Sequence, residues 1–206
     1  MKLYTAHAPN PFRVNAFIQE KGIDLPSTRV DIMTGETRHE AHLARNPLGE
    51  LPVLELDDGT FISESLAICR YLEALYPEPS LFGSTPRDIA VIEMWTRRME
   101  LLIMEAAGNI GRHTIPIFAD KYEQMPDYAE TQKRALMKHW AWLDGQLSDG
   151  RTFIALDRYS VADITGMAAL FVMSFMGMDL PETLTHLKRW EAAVRAKPVW
   201  EGPNGG

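Results

Sequence analysis

Apolar and polar positions follow two different periods in the first eighty residues of this chain. Lys2-Leu3-Tyr4-Thr5 and Thr28-Arg29-Val30-Asp31-Ile32 alternate with period two, the pattern of half-buried strands. Between them Val14, Phe17 and Ile18 recur at helical spacing. Pro11 suits the first helical position, and Gly22 supplies a stop just after Lys21. A short helix is predicted around Glu40 to Ala44. Val53-Leu54-Glu55-Leu56 reads as a strand, Asp57-Asp58-Gly59 as a hairpin turn and Thr60-Phe61-Ile62 as the returning strand. A helix opening at Ser63 or Glu64 then carries Leu66, Cys69, Leu72 and Leu75 on one stripe.

The predicted order is strand, helix, strand, helix, strand, strand, helix. That is an α/β arrangement with a parallel first half and a closing hairpin, and it fits a thioredoxin-like topology. Tyr76-Pro77-Glu78-Pro79-Ser80 and Gly83-Ser84-Thr85-Pro86 break the pattern. We place a linker at 78–86, between a first domain at 1–77 and a second at 87–206. After the linker only helical periods remain. A long helix is expected from about Arg87 to about Gly108. Another carries Leu136, Trp140, Leu143 and Leu147, a buried one starts near Val161, and the last holds Leu184, Leu187, Trp190 and Val194. The expected fold is an α/β thioredoxin-like N-terminal domain followed by an all-α bundle, ending in a low-complexity Gly-Pro-Asn-Gly-Gly tail.

Charge and composition narrow the partners. The net charge is −7, and the densest basic clusters are the pairs Arg97-Arg98 and Lys133-Arg134. Solvated helix faces account for these, so neither nucleic acid nor an anionic membrane surface is expected. The run Ile164 to Met178 is interrupted by Thr165, Gly166 and Ser174, and falls short of the ~18 apolar residues of a span. It reads as a buried helix. Met1 to Thr5 leads straight into a strand pattern without an export signal, and Cys69 is the single cysteine. A reducing cytoplasm is the expected setting. His39-x-x-His42 is the nearest approach to a metal-ligand pair and lacks a third ligand, so no metal is expected. Cys69, on an apolar stripe, is expected to pack rather than react.

The segment from Asn46 through Pro47-Leu48-Gly49-Glu50-Leu51-Pro52 to Glu64-Ser65-Leu66-Ala67-Ile68 resembles the glutathione-binding stretch of the glutathione transferase superfamily. Ser160-Val161-Ala162-Asp163 resembles that family's capping motif, and Leu187-Lys188-Arg189-Trp190 its final core helix. Each motif is weak alone, but the three are collinear and cover nearly the whole chain. The Leu54-to-Gly59 run, Glu93-Met94-Trp95-x-Arg97-Arg98 and Arg112-His113 further resemble bacterial proteins related to the second yeast Gtt-type transferase. That branch lacks the usual catalytic Tyr, Ser or Cys.

The resemblance implies glutathione as co-substrate and assigns roles by position. Ser65 would receive the γ-glutamyl carboxylate at a helix start, where free N–H groups and the dipole favour an anion, and Glu64 would pair the ammonium. The alternative is that Ser63 to Ser65 merely cap the helix. Leu51-Pro52 would be the family's X-cis-Pro, with the Leu51 backbone pairing the cysteinyl unit. An ordinary trans proline is the alternative. Arg38 and His39 stand where relatives contact the glycine carboxylate, and an exposed helix start explains them equally well. Glu50 departs from the Gln or Lys common in relatives and is expected to point away or to be bridged by a cation. The place of the catalytic hydroxyl reads His7, Ala8, Pro9 and Asn10. Asn10 is the expected direct donor to the thiol, and His113 the secondary group, holding a water or adding positive potential. Capping of the long helix's end is the alternative for Arg112 and His113.

Trp95, Met99, Met104, Phe171, Met173, Phe175, Met176 and Met178 divide between core and an apolar pocket for the second substrate. The implied function is conjugation of the glutathione thiolate to hydrophobic electrophiles, with possible peroxide reduction, in a homodimer. The alternatives are a non-catalytic glutathione-binding regulator and a dedicated glutathione-dependent isomerase or ether-cleaving enzyme.

Overall fold

The computed structural model describes residues 1–200, the side chain of Trp200 excepted; the tail noted above lies outside the described residues. The chain divides into two compact units. One is Met1–Ser80 together with the turn Pro198–Trp200, and the other is Leu81–Lys197. Residues 198–200 therefore group with the first unit, not with the helical stretch in which the sequence places them.

The first unit is a four-stranded sheet, ordered β2-β1-β3-β4, with three helices. β1 (Lys2–Thr5) pairs parallel with β2 (Ser27–Arg29) and antiparallel with β3 (Val53–Glu55), which pairs antiparallel with β4 (Phe61–Ser63). This is the thioredoxin-like topology. The strand predicted over Thr28 to Ile32 is shorter than its alternation suggested. From Asp31 onward the backbone turns, and Asp31 Oδ1 accepts the N–H groups of Met33 and Thr34.

α1 (Pro9–Lys21) begins two residues earlier than Pro11 suggested, with Pro9 at its first position. It ends at Gly22, whose φ of 62° is the left-handed geometry that glycine adopts without penalty. Phe12, Val14, Ala16 and Phe17 are buried along it. α2 (Glu40–Leu43) is one turn. α3 (Ser65–Leu75) buries Ile68, Cys69 and Leu72, whereas Leu75 is largely exposed. Lys21 is drawn inside at the end of α1. Its Nζ donates to the carbonyls of Tyr76 (2.6 Å) and Pro79 (2.8 Å) and lies 2.7 Å from the Glu73 carboxylate. Those three acceptors satisfy a buried ammonium that would otherwise be costly.

The second unit is helical. α4 (Pro86–Arg98), a π-helical stretch Met99–Met104 and α5 (Glu105–Thr114) run on without a break, so the long helix extends six residues past Gly108. α6 (Pro126–Gln146), α7 (Val161–Phe175) and α8 (Thr185–Arg195) complete it. α7 is buried from Val161 to Met173, as its uniformly apolar sequence demands. Its start is a capping box built on buried Asp163. That carboxylate accepts from the N–H groups of Ile154 (2.8 Å) and Ser160 (3.0 Å), from Ser160 Oγ (3.0 Å) and from Trp190 Nε1 (3.0 Å). One side chain thus ties α7, α8 and the preceding loop together. Gly166 admits the Trp190 ring, since a β-carbon there would lie 2.7 Å from Cζ2.

Candidate functional site

Three segments of the first unit meet at one end of its sheet by register alone. Val53 pairs with both Tyr4 and Ser63. Two residues further along each strand come Ala6, Leu51 and Ser65, side by side at the same sheet end. The turn Ala6–Ala8 into α1, the Leu51-Pro52 step and the Glu64-Ser65 start of α3 are therefore neighbours.

Leu51-Pro52 is a cis peptide. Leu51 is buried, and among the described residues neither its N–H nor its C=O has a hydrogen-bond partner. A buried residue whose own N–H and C=O are both unpaired is rare, because an unpaired buried group costs about 1–3 kcal/mol. The loop before it is gripped tightly. Arg38 Nη1 donates to the Leu48 carbonyl (3.0 Å) and lies against Gly49, where a β-carbon would come within 2.7 Å of it. Gly49 has a φ of 64°. Arg38 is thus held beside the loop by a contact its exposed position in the sequence did not reveal. His39 is exposed, precedes α2 and makes no side-chain cap.

Glu64 has a φ of 68° and a ψ of 113°, a conformation costly for any residue with a β-carbon. Such strain persists where surrounding contacts enforce it, and it is concentrated at ligand clamps. α3 has no side-chain cap, so the capping role considered for Ser63 to Ser65 is not what these residues do. The Ser65 hydroxyl instead accepts from Arg13 Nη1 at 3.1 Å, both side chains being buried. With one lone pair engaged by Arg13, the hydroxyl still has its own proton to donate. Arg13 was not legible as a site residue. Its only signal is a cation next to Phe12 and Val14 on the apolar face of α1.

The first turn of α1 offers few donors. Pro9 and Pro11 have no N–H, and the Phe12 N–H donates to the Ala8 carbonyl at 2.8 Å. Asn10 alone in that turn brings an N–H without a helical partner. It is exposed, and its side-chain amide makes no hydrogen bond among the described residues. Tyr4 is not a substitute catalytic hydroxyl. Its hydroxyl donates to Glu55 at 2.6 Å, and that bond, with burial, raises its pKa. Cys69 is fully buried, and burial pushes its thiol up to about 12, so it packs and does not react.

In the second unit His113 Nδ1 accepts the N–H of Met125, at the start of α6, at 3.1 Å. The neutral ring therefore carries its proton on Nε2 and presents a donor, not a base. It meets Tyr128 edge-on, with centroids 5.1 Å apart. Arg112 reaches Glu105 (3.2 Å) and Asn109 (2.9 Å), while Gln124 caps the Arg112 and Ile115 carbonyls. Of the pocket candidates, Trp95, Met99, Phe171 and Met173 are core. Met104, Phe175, Met176 and Met178 stay partly exposed, and Met176 lies near Gly111 of α5.

Residues 7–75 match the glutathione S-transferase N-terminal domain and residues 101–198 the glutathione S-transferase C-terminal domain. Glutathione S-transferase 2 of Saccharomyces cerevisiae is 32% identical over 198 residues, covering 94% of this chain and 84% of that protein. A maleylacetoacetate isomerase of Pseudomonas aeruginosa is 42% identical over 89 residues, 42% of each chain. The crystal structure of a glutathione S-transferase domain-containing protein from Marinobacter aquaeolei VT8 superposes with a TM-score of 0.90 at 40% identity, covering 97% of this chain and 99% of that one. The chain belongs to the glutathione S-transferase family. Among the described residues no helix is long and apolar enough to cross a membrane.

Proposed function

We propose that this chain binds glutathione at the sheet end of its first unit and adds its thiolate to hydrophobic electrophiles, reducing peroxides with the same thiolate. The observation that carries the reading is the unpaired backbone of Leu51 beside the uncapped, strained start of α3. Leu51 pairs the cysteinyl backbone of the tripeptide, with Pro52 fixing the step. Ser65 and the free N–H groups of α3 take the γ-glutamyl carboxylate, and Glu64 takes the ammonium. Arg38 and His39 attract the glycine carboxylate.

Asn10 donates to the sulfur. A free thiol has a pKa of about 8.5, and lowering it to about 6.5–7 requires roughly 2–3 kcal/mol of preference for the thiolate. One or two hydrogen bonds to a charged acceptor are worth that much. His113, a donor through Nε2, is the secondary group and holds a water. The thiol proton leaves to solvent, sulfur forms a bond to the electrophilic carbon, and the leaving group departs with its electron pair. The partly exposed Met104, Phe175 and Met176 suit an adaptable apolar second substrate. The reading includes a homodimer in a reducing, cytoplasmic setting.

The segment shared with the isomerase favours a second reading, in which the same thiolate adds reversibly across an activated double bond. Retention on a glutathione column followed by an aryl-halide conjugation assay tests the main reading. Retention with turnover is expected. Isomerisation of an unsaturated diacid without conjugation supports the second reading, and retention without any turnover supports a glutathione-binding regulator.

A further inference from the structure

We infer that His42 and Asn46 are positioning residues that aim the Leu51 N–H at the ligand. The inference rests on the reading of Leu51 as a glutathione contact. His42 and Asn46 are only 1% and 3% exposed, although both are strongly polar. Both converge on one acceptor. Asn46 Nδ2 donates to the Glu50 carbonyl at 3.0 Å, and His42 Nε2 lies 3.1 Å from the same oxygen. A carbonyl only accepts, so His42 carries its proton on Nε2. Its Nδ1 is buried without a partner among the described residues, so nothing else in the interior sets this tautomer.

Asn46 is itself held. Its Oδ1 accepts the Leu48 N–H (3.2 Å), its carbonyl accepts the Gly49 N–H (2.8 Å), and its N–H donates to the His42 carbonyl (2.9 Å). An amide side chain is required here, because Asp has no donor for Glu50 and Ala offers neither group.

The consequence follows from peptide geometry. The Glu50–Leu51 bond is trans, so its C=O and N–H point in opposite directions in one plane. Two interior donors draw the Glu50 carbonyl inward and thereby turn the Leu51 N–H outward. One donor would satisfy the carbonyl, and a second fixes the plane. Arg38 grips Leu48 from outside while His42 and Asn46 grip Glu50 from inside, and the first unpaired N–H after the grip is that of Leu51.

The test is calorimetric titration of glutathione into wild type, H42L, H42Q and N46A. It is combined with the glutathione-induced shift of the Leu51 amide in spectra of 15N-leucine protein, assigned by L51V. H42L and N46A are expected to raise the Kd about tenfold each, the worth of one well-aimed hydrogen bond. H42Q, which keeps an N–H near Nε2, is expected to stay close to wild type. The downfield amide shift is expected in wild type and H42Q, and to shrink in H42L and N46A. A purely structural role would lower the melting temperature and leave that shift intact, and this result would overturn the inference, as would wild-type affinity in both variants. If H42L does not fold, N46A carries the same comparison. Failure of the wild type to bind glutathione would overturn the site reading itself and this inference with it.

Discussion

At Glu64 and Ser65 two side chains meet opposite demands. Ser65 is buried and oriented by Arg13, whereas Glu64 is exposed and held at a positive φ. Ser65→Ala and Glu64→Ala are each expected to weaken glutathione binding by about 1.5–3 kcal/mol, the range for hydrogen bonds to charged groups. Glu64→Gly separates strain from chemistry. It should fold at least as stably as Glu64→Ala, because glycine adopts a φ of 68° without steric cost, yet bind glutathione no better. Titration calorimetry with chemical denaturation of the same variants checks both statements. Unchanged affinity in both alanine variants would mean the ligand lies elsewhere. The sequence made Glu64 and Ser65 legible through their motif. It could not show Arg13, whose partner lies 52 positions away. Nor could it show the convergence of His42 and Asn46 on Glu50, because burial of polar groups has no periodic signature.

The helices illustrate which elements a pattern reveals. α6 and α8 follow their apolar stripes, since burial of one face is what holds them, whereas α7 follows its uniformly apolar run and is buried all round. The start of α1 was displaced because Pro9 and Pro11 both suit a first helical turn. The π-helical stretch within the long helix was invisible, because one extra residue per turn leaves Met99 and Ile103 buried all the same. At the α7–α8 contact, Gly166→Ala is expected to cost about 1–3 kcal/mol by pressing a methyl into the Trp190 ring, read as a lowered melting temperature. Asp163 gives a pH signature at the same place. Burial, outweighing the four hydrogen bonds it accepts, raises its pKa to about 6. The difference from the ordinary value near 4 corresponds to roughly 3 kcal/mol. A folded carboxyl held above its unfolded value binds its proton more tightly when folded. Its contribution is therefore fully present below about pH 4 and is lost as pH rises through about 6. The stability advantage of wild type over Asp163→Asn should narrow between pH 4 and 7 in denaturant titrations. An advantage that stays constant or widens would contradict this.

For the whole molecule, we expect a homodimer formed through the faces around Ile62 to Tyr71 and Val91 to Arg98, which carry or adjoin exposed Phe61, Met94 and Leu101. Light scattering at micromolar concentration should return twice the chain mass of 23.3 kDa, and a monomer mass would contradict it. The central claim concerns the thiol. The family usually supplies one hydroxyl for activation, yet here the first turn of α1 offers only Asn10, and Tyr4 and Cys69 are committed elsewhere. The most direct measurement is the pH titration of the thiolate absorbance of bound glutathione in wild type and Asn10→Ala, with His113→Ala for the secondary role. The account predicts a wild-type midpoint well below the free value of about 8.5, moving back toward it by about one unit or more in Asn10→Ala and less in His113→Ala. A wild-type midpoint equal to that of free glutathione, or a lowered midpoint that Asn10→Ala leaves in place, would contradict it.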